Sequence, residues 1–180
     1  RSCQFPRIRG AWRLCAWRGL VTRQKVEARK GMLVAGAANA LAARIIYELG
    51  FEAIYLSGAG LTNTYYGVPD LGFIGLSDLV GHTSAMRDAM PLPIIVDADM
   101  GFGNALNVRQ TVRQLERAGA NAIQIEDQVM PKKCGHFADK SVIEPMEMVS
   151  KMRKHLGPAC NAARRRLRPA RRRAEIGRAS

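Results

Sequence analysis

Short apolar runs alternate with longer amphipathic stretches through the middle of the chain. The apolar runs lack the regular alternation of a strand that has one face in water. They therefore indicate parallel strands that are buried on both faces. The four runs are MLVAG (32–36), AIYLSG (53–58), PIIVDAD (93–99) and AIQIED (122–127).

A helical pattern follows each of these runs. Asn39 and Gly50 supply start and stop signals for the first helix, and Pro145 and Gly157 do so for the last. The repeated strand–helix order predicts a parallel sheet with helical crossovers. The four helical stretches are NALAARIIYELG (39–50), LSDLVGHTSAMRDA (76–89), NVRQTVRQLERAGA (107–120) and PMEMVSKMRKHLG (145–157).

Two α/β architectures contain such units, an open doubly wound sheet and a (β/α)8 barrel. The strand ends carry Ser57, Asp97, Asp99, Glu126 and Asp127. A barrel gathers all its strand ends at one mouth, whereas an open sheet does not. No GxGxxG or GK[ST] nucleotide-binding motif is present. A whole barrel takes about 250 residues, so we predict the first half of a (β/α)8 barrel.

The net charge of +13 is concentrated at the two ends of the chain. Residues 1–26 and residues 157–180 each carry a net charge of +7, whereas residues 27–156 carry −1. The first segment is Arg-rich and acid-free, which is typical of a mitochondrial transit peptide. The last is an Arg/Ala/Pro-rich stretch of a kind that is typically disordered. We predict a folded domain at 27–156, located in the cytoplasm or the mitochondrial matrix.

Composition narrows the function classes. The basic C-terminal stretch lacks the interleaved aromatic residues that stack on bases, so we expect no specific nucleic-acid partner. No apolar run approaches the roughly 18–20 residues that span a bilayer, so we expect no membrane partner. The 4 cysteines include no CxxC pair, which argues against a zinc site or a disulfide framework. A non-catalytic basic binding protein stays open as an alternative to an enzyme.

The stretch VDADMGFGN (96–104) places two carboxylates at the end of the third run. Asp97 and Asp99 would share one face of a strand, and they repel each other unless a cation lies between them. With Glu126 and Asp70 as further oxygen donors, the pattern favours Mg²⁺ or Mn²⁺ over zinc. The alternative is that one Asp caps the following helix.

The stretch PKKCGH (131–136) surrounds Cys134 with cations. These cations favour the reactive thiolate, which could serve as a nucleophile or, when protonated, as a proton donor. The same charge suits an anionic small-molecule substrate, such as a carboxylate. The alternatives are a small buried apolar role for Cys134 and a structural hydrogen-bonding role for His136. The amides and hydroxyl of SGAG (57–60) could hold a carboxylate, although this stretch and GVPDLG (67–72) could also be simple turns.

Taken together, these motifs resemble the isocitrate lyase/phosphoenolpyruvate mutase superfamily, in particular its 2-methylisocitrate and dimethylmalate lyases. The resemblance covers about residues 27–156. It implies a (β/α)8 barrel that forms homo-oligomers when full-length, uses Mg²⁺ or Mn²⁺, and cleaves a carbon–carbon bond in a 2-hydroxy di- or tricarboxylate. Conversion of 2-methylisocitrate to pyruvate and succinate is the example. Carboxyphosphonoenolpyruvate-type phosphonomutase and oxaloacetate decarboxylase activities are alternatives within the superfamily. The motifs are YLSGAGLTN, GVPDLG, VDADMGFGN, NVRQTVRQLERAGANAIQIED and IEDQVMPKKCGH.

The resemblance also implies residue roles. Asp97 resembles the direct metal ligand, Asp99 and Glu126 resemble acids that hold metal-bound waters, and Asp70 lies in the same polar shell. Cys134 resembles the general acid that protonates the departing carbon. Tyr55 is a candidate base, and Lys133 and His136 are further catalytic candidates. The implied substrate loop is Tyr55, Ser57, Gly58 and Ala59, and the implied gating loop is Lys132, Lys133, Gly135 and His136.

Two departures from the superfamily pattern bear on activity. Ala59 stands where many of these lyases have a glycine, which adds a methyl group at the carboxylate site. The later strands that supply a substrate-binding Arg have no counterpart in this sequence. We therefore expect a truncated lyase whose activity is weak or lost.

Overall fold

The computed structural model of the protein describes residues 31–132 and 141–155. No helix in these two ranges is long and apolar enough to cross a membrane. The strands are β1 (Ala35–Ala37), β2 (Ile54–Leu56), β3 (Ile94–Asp97) and β4 (Ala122–Gln124). The α-helices are α1 (Ala40–Glu48), α2 (Gly58–Leu61), α3 (Leu76–Ala89), α4 (Ala105–Arg117) and α5 (Pro145–His155), and a π-helix covers Thr62–Tyr66.

The four strands form one parallel sheet in the order β1-β2-β3-β4. This order confirms the predicted succession of strand–helix units. The strands are shorter than their apolar runs. The first begins at Ala35 rather than residue 32, and Leu33 is 76% exposed in the preceding segment. The core lies between the sheet and the helices, where Ile54, Leu56 and Val96 are fully buried.

Local sequence signals explain where the longer helices begin and end. The Asn39 side chain accepts a hydrogen bond from the Ala42 amide at 2.9 Å and caps α1. Asn104 caps α4 in the same way, through bonds from the Leu106 and Asn107 amides. Gly50 has φ +82°, a left-handed conformation that favours glycine just beyond the end of α1. The helix boundaries therefore lie within about two or three residues of the predicted ones.

The short helix α2 was not predicted. It begins directly after β2, with the Ser57 hydroxyl accepting a hydrogen bond from the Gly60 amide at 3.1 Å. The Thr62 hydroxyl donates to the Gly58 carbonyl at 2.9 Å, where α2 continues into the π-helix. A stretch that reads as a small-residue turn therefore presents a capped helix start at the carboxyl end of the sheet.

The opposite end of the sheet is fastened by an arginine. Arg87, near the end of α3, donates to the Gly119 carbonyl at 3.0 Å and to Asn121 Oδ1 at 2.7 Å. The same Asn121 oxygen accepts a hydrogen bond from the Ile94 amide at 3.0 Å, at the start of β3. This contact ties α3, β3 and the chain entering β4 together, far from the strand ends that carry the acids.

Candidate active site

One face of the sheet carries a cluster of polar side chains at its carboxyl end. Tyr55 is in register with Ile95, and Asp97 is in register with Gln124. Because side chains two residues apart share a face, Tyr55, Asp97 and Gln124 point to the same side of the sheet. The Tyr55 hydroxyl reaches across β3 and donates to Gln124 Oε1 at 3.1 Å. The sheet therefore gathers residues from three strands at one place.

Lys132 provides a buried cation in this cluster. Its Nζ lies 2.8 Å from Oδ1 of Asp70 and 3.0 Å from Oδ2, and it also bonds directly to Asp99. The side chain is 5% exposed. Burial by itself lowers the pKa of Lys132, but the carboxylates of Asp99 and Asp70 outweigh burial and raise that pKa above its usual range. Lys132 is therefore a permanent positive charge that holds two of the four predicted metal-shell acids.

Asp99 occupies an unusual backbone conformation. Its φ is +46°, in the left-handed region that few non-glycine residues adopt. Its carbonyl accepts a hydrogen bond from the Glu126 amide at 2.6 Å, which links the end of β3 to the end of β4. Burial raises the pKa of the Asp99 carboxyl to about 6, although Lys132 opposes the shift. Burial therefore disfavours the ionised form of Asp99, whereas the nearby Lys132 favours it.

Asp97 lies in a different electrostatic setting. Burial raises the pKa of its carboxyl, and repulsion from Glu126 raises it further. Tyr55, Lys132 and the Asp99 amide, which lies 3.4 Å from Asp97 Oδ1, act in the opposite direction. Glu126 in turn accepts a hydrogen bond from Gln128 Nε2 at 2.7 Å. The result is a pair of half-buried carboxylates that repel each other.

The predicted substrate loop lies against these acids. A Cβ placed on Gly58 would be 3.5 Å from Oδ1 of Asp99 and 3.8 Å from Oδ2 of Asp97. Gly58 is buried, and Ser57 and Ala59 on either side are half-buried. The structure thus brings Tyr55, the 57–59 segment and the carboxylates together, as the sequence motifs indicated.

The carboxylates suit a hard divalent cation that is bound by two protein ligands. Within residues 31–132 and 141–155, no three Asp, Glu, His or Cys side chains are close enough to enclose a metal ion. Mg²⁺ usually keeps several waters and binds through one or two carboxylates plus substrate, so it does not need such a cage. Lys132 already forms ion pairs with Asp70 and Asp99. Asp97 and Glu126 are therefore the residues that would hold the ion, because their mutual repulsion is what a dication would relieve.

Several predicted site residues lie outside the described residues. These are Lys133, Cys134, Gly135 and His136, so their roles stay predictions. Two other residues were missed, Gln124 and Gln128, which are 4% and 9% exposed. The signal for Gln124 was its place inside the apolar run AIQIED. A polar residue there indicates a strand face that turns toward a site rather than toward the apolar core.

Comparison with known proteins decides the family. Residues 24–165 match the phosphoenolpyruvate phosphomutase family. The chain belongs to the phosphoenolpyruvate mutase/isocitrate lyase superfamily. It is 53% identical over 134 residues to a 2-methylisocitrate lyase of Aeropyrum pernix. It is 43% identical over 131 residues to a 2,3-dimethylmalate lyase of Eubacterium barkeri. The predicted superfamily, and the branch within it, are confirmed.

Solved structures of superfamily members show the same fold. A crystal structure of 2,3-dimethylmalate lyase aligns with a TM-score of 0.70 and 34% identity, covering 81% of this chain and 48% of that one. A phosphonopyruvate hydrolase solved in complex with oxalate and Mg²⁺ aligns with a TM-score of 0.66 and 31% identity, covering 79% of this chain and 46% of that one. These neighbours are barrels of the (β/α)8 type, which confirms the predicted fold class.

The match is partial along the relatives. The aligned segments cover 74% and 73% of this chain but 43% and 45% of the two lyases. The chain therefore spans less than half the length of these superfamily members. The part that it spans contains the four strands whose ends carry the carboxylate cluster.

Proposed function

We propose that the chain carries the metal-binding and substrate-binding part of a Mg²⁺-dependent carbon–carbon lyase. Its substrate would be a 2-hydroxy di- or tricarboxylate, cleaved in the manner of 2-methylisocitrate to pyruvate and succinate. The observation that carries the proposal is the pair of repelling acids, Asp97 and Glu126, beside Tyr55 and Gly58 at adjacent strand ends. The 53% identity to a 2-methylisocitrate lyase supports the substrate class.

The reaction needs two proton movements around one bond cleavage. The 2-hydroxyl loses a proton, the carbon–carbon bond breaks, and its electron pair moves to the departing carboxylate-bearing carbon, which then takes up a proton. A bound Mg²⁺ would supply Lewis-acid polarisation of the substrate's hydroxyl and carbonyl oxygens. Tyr55 is the proposed relay for the hydroxyl proton, because its own hydroxyl contacts Gln124 and interacts with Asp97, to which it could pass its proton as it takes up that of the substrate. Cys134 is the proposed donor to the departing carbon.

Substrate carboxylate binding would involve the start of α2. The segment from Ser57 to Ala59 lies next to the acids, and successive backbone amides in such a turn can bind a carboxylate. Lys132 offsets part of the negative charge of Asp70 and Asp99, which lessens the repulsion that an anionic substrate would meet at the site.

The metal part of the proposal can be tested without turnover. Mn²⁺, which is visible by electron paramagnetic resonance, is titrated into the purified 180-residue chain and into Asp97→Asn. We expect one Mn²⁺ site in the wild-type chain and an affinity at least about 100-fold lower in the variant. Asp88→Asn, on the outer part of α3, is the matched control and should bind as wild type does. Mn²⁺ binding that ignores Asp97 would end the proposal.

The reaction is tested by pyruvate release from 2-methylisocitrate in the presence of Mg²⁺, with Cys134→Ser as the comparison. Release that depends on Cys134 supports a lyase. A phosphonomutase or an oxaloacetate decarboxylase is the second candidate, supported by the similarity to a phosphoenolpyruvate phosphomutase and to an oxaloacetate acetylhydrolase. Turnover of phosphonopyruvate or oxaloacetate in preference to 2-methylisocitrate would select it.

A further inference from the structure

Lys151 on α5 is a buried cation outside the carboxylate cluster. Its side chain is 3% exposed, and its Nζ donates to the Met100 carbonyl at 3.4 Å. The carboxylate of Glu147, one turn earlier on the helix and half-exposed, lies 3.8 Å away. Burying an ammonium group is unfavourable, and an apolar residue of similar size often packs there at no loss of stability. A lysine at this position therefore calls for a role other than stabilising the helix.

The carbonyl that Lys151 contacts belongs to a strained segment. Met100 lies between Asp99 and Gly101, whose φ values are +46° and +85°, and Phe102 follows with φ +59°. Positive φ values are energetically unfavourable for non-glycine residues, and they persist only where surrounding contacts fix the backbone. The segment is also the one that carries Asp97 and Asp99, so its conformation sets where those carboxylates point.

The helices behind the sheet supply those fixing contacts. The Thr111 hydroxyl on α4 donates to the Gly101 carbonyl at 3.1 Å. Val108 packs so closely on Gly101 that an added Cβ would lie 2.5 Å from it. Lys151 on α5 holds the preceding carbonyl, that of Met100. Two neighbouring helices therefore each send one polar side chain to successive carbonyls of the same strained segment.

We propose that Lys151 is a positioning residue that fixes the Met100 peptide and so presents Asp97 and Asp99 in their binding orientation. It acts through the Met100 carbonyl. The link to metal binding rests on the proposed function. The effect on the backbone can be measured without metal.

The test uses amide hydrogen exchange in the metal-free 180-residue chain. Two amides report on the segment: Gly101 N, bonded to the Ala98 carbonyl at 2.8 Å, and Glu126 N, bonded to the Asp99 carbonyl. In Lys151→Met we expect both to exchange at least tenfold faster, while the Ile54 amide, bonded to Pro93, keeps its rate. The melting temperature should stay the same or rise. Arg153→Met, exposed on the same helix, is the matched control and should change neither amide.

Unchanged exchange at both amides in Lys151→Met would overturn the proposal. So would a uniform acceleration of every amide together with a lower melting temperature, because that is the pattern of a purely structural residue. If Lys151→Met does not fold, Lys151→Gln, which stays polar but is too short to reach Met100, must show the same local acceleration.

Metal affinity separates this inference from the proposed function. Mn²⁺ affinity should fall about tenfold in Lys151→Met. If the wild-type chain binds no Mn²⁺ while exchange still accelerates locally, the proposed function fails and the positioning of the segment stands. If the wild-type chain binds Mn²⁺ and Lys151→Met binds it equally well with unchanged exchange, the positioning role fails alone.

Discussion

Two pairs of acids at the carboxyl end of the sheet have opposite electrostatic environments. Asp70 and Asp99 share the ammonium group of Lys132, which is buried with them. Asp97 faces Glu126, and their repulsion adds to the burial that raises the pKa of Asp97. Carboxylates at one end of the sheet thus have two different roles. One pair shares an internal counter-ion, and the other is a charged site that an added cation would stabilise.

The sharpest way to break this comparison is to remove the shared cation. Lys132→Met leaves Asp70 and Asp99 buried without a counter-charge, and breaking a buried ion pair from one side costs about 3–5 kcal/mol. Chemical denaturation at pH 7 should show a loss of this size in the free energy of unfolding. The exposed pair of Arg44 and Glu48, 2.9 Å apart, provides the control, because Arg44→Met should cost less than about 1 kcal/mol. Equal losses in the two variants would contradict the contrast.

The second test is the pH dependence of stability in the metal-free chain. The pKa of Asp99 is about 6 in the folded protein and 3.8 in the reference state. The folded state therefore binds more protons between these values, and Asp99 contributes stability below pH 4 that is lost as the pH rises through 6. Compared with Asp99→Asn, the wild-type chain should lose up to roughly 3 kcal/mol over this window. Parallel pH profiles for the two proteins would contradict the prediction.

The third test compares an acid from each pair. Without metal at pH 7, Asp97→Asn removes a buried carboxylate that is repelled by Glu126, so the free energy of unfolding should rise. Asp70→Asn removes a partner of Lys132, so it should lower that free energy. Thermal and chemical unfolding measure both. Two changes of the same sign would show that the pairs do not differ.

The smallest expected effect concerns the hydroxyl that joins the strands. Tyr55→Phe loses the 3.1 Å bond to Gln124 and the interaction with Asp97, which should cost about 1 kcal/mol of stability. Tyr47, which is 42% exposed on α1, is the control, and Tyr47→Phe should stay within about 0.5 kcal/mol of wild type. A larger loss from Tyr47 than from Tyr55 would argue against the polar cluster.

The sequence was sufficient for the architecture and for the gathering of acids at the carboxyl end of the sheet. Apolar runs without alternation indicated buried parallel strands, and acids at their ends indicated a shared edge. The division of those acids into two pairs was not predictable, because it depends on Lys132 reaching Asp70 and Asp99 across 62 and 33 residues. Helix α2 was missed because Gly58, Ala59 and Gly60 have turn-like composition, whereas a capping hydroxyl and the end of β2 hold them in a helix.

The hydrogen bonds among Arg87, Gly119 and Asn121 affect which substitutions the protein can tolerate. They lie at the amino ends of the strands, whereas the buried carboxylates that destabilise the fold lie at the carboxyl ends. Substitutions that tighten the first region can therefore offset losses incurred in the second without moving a single carboxylate. Residues at the carboxyl end of the sheet can therefore vary in function while contacts at the amino end maintain the stability of the fold.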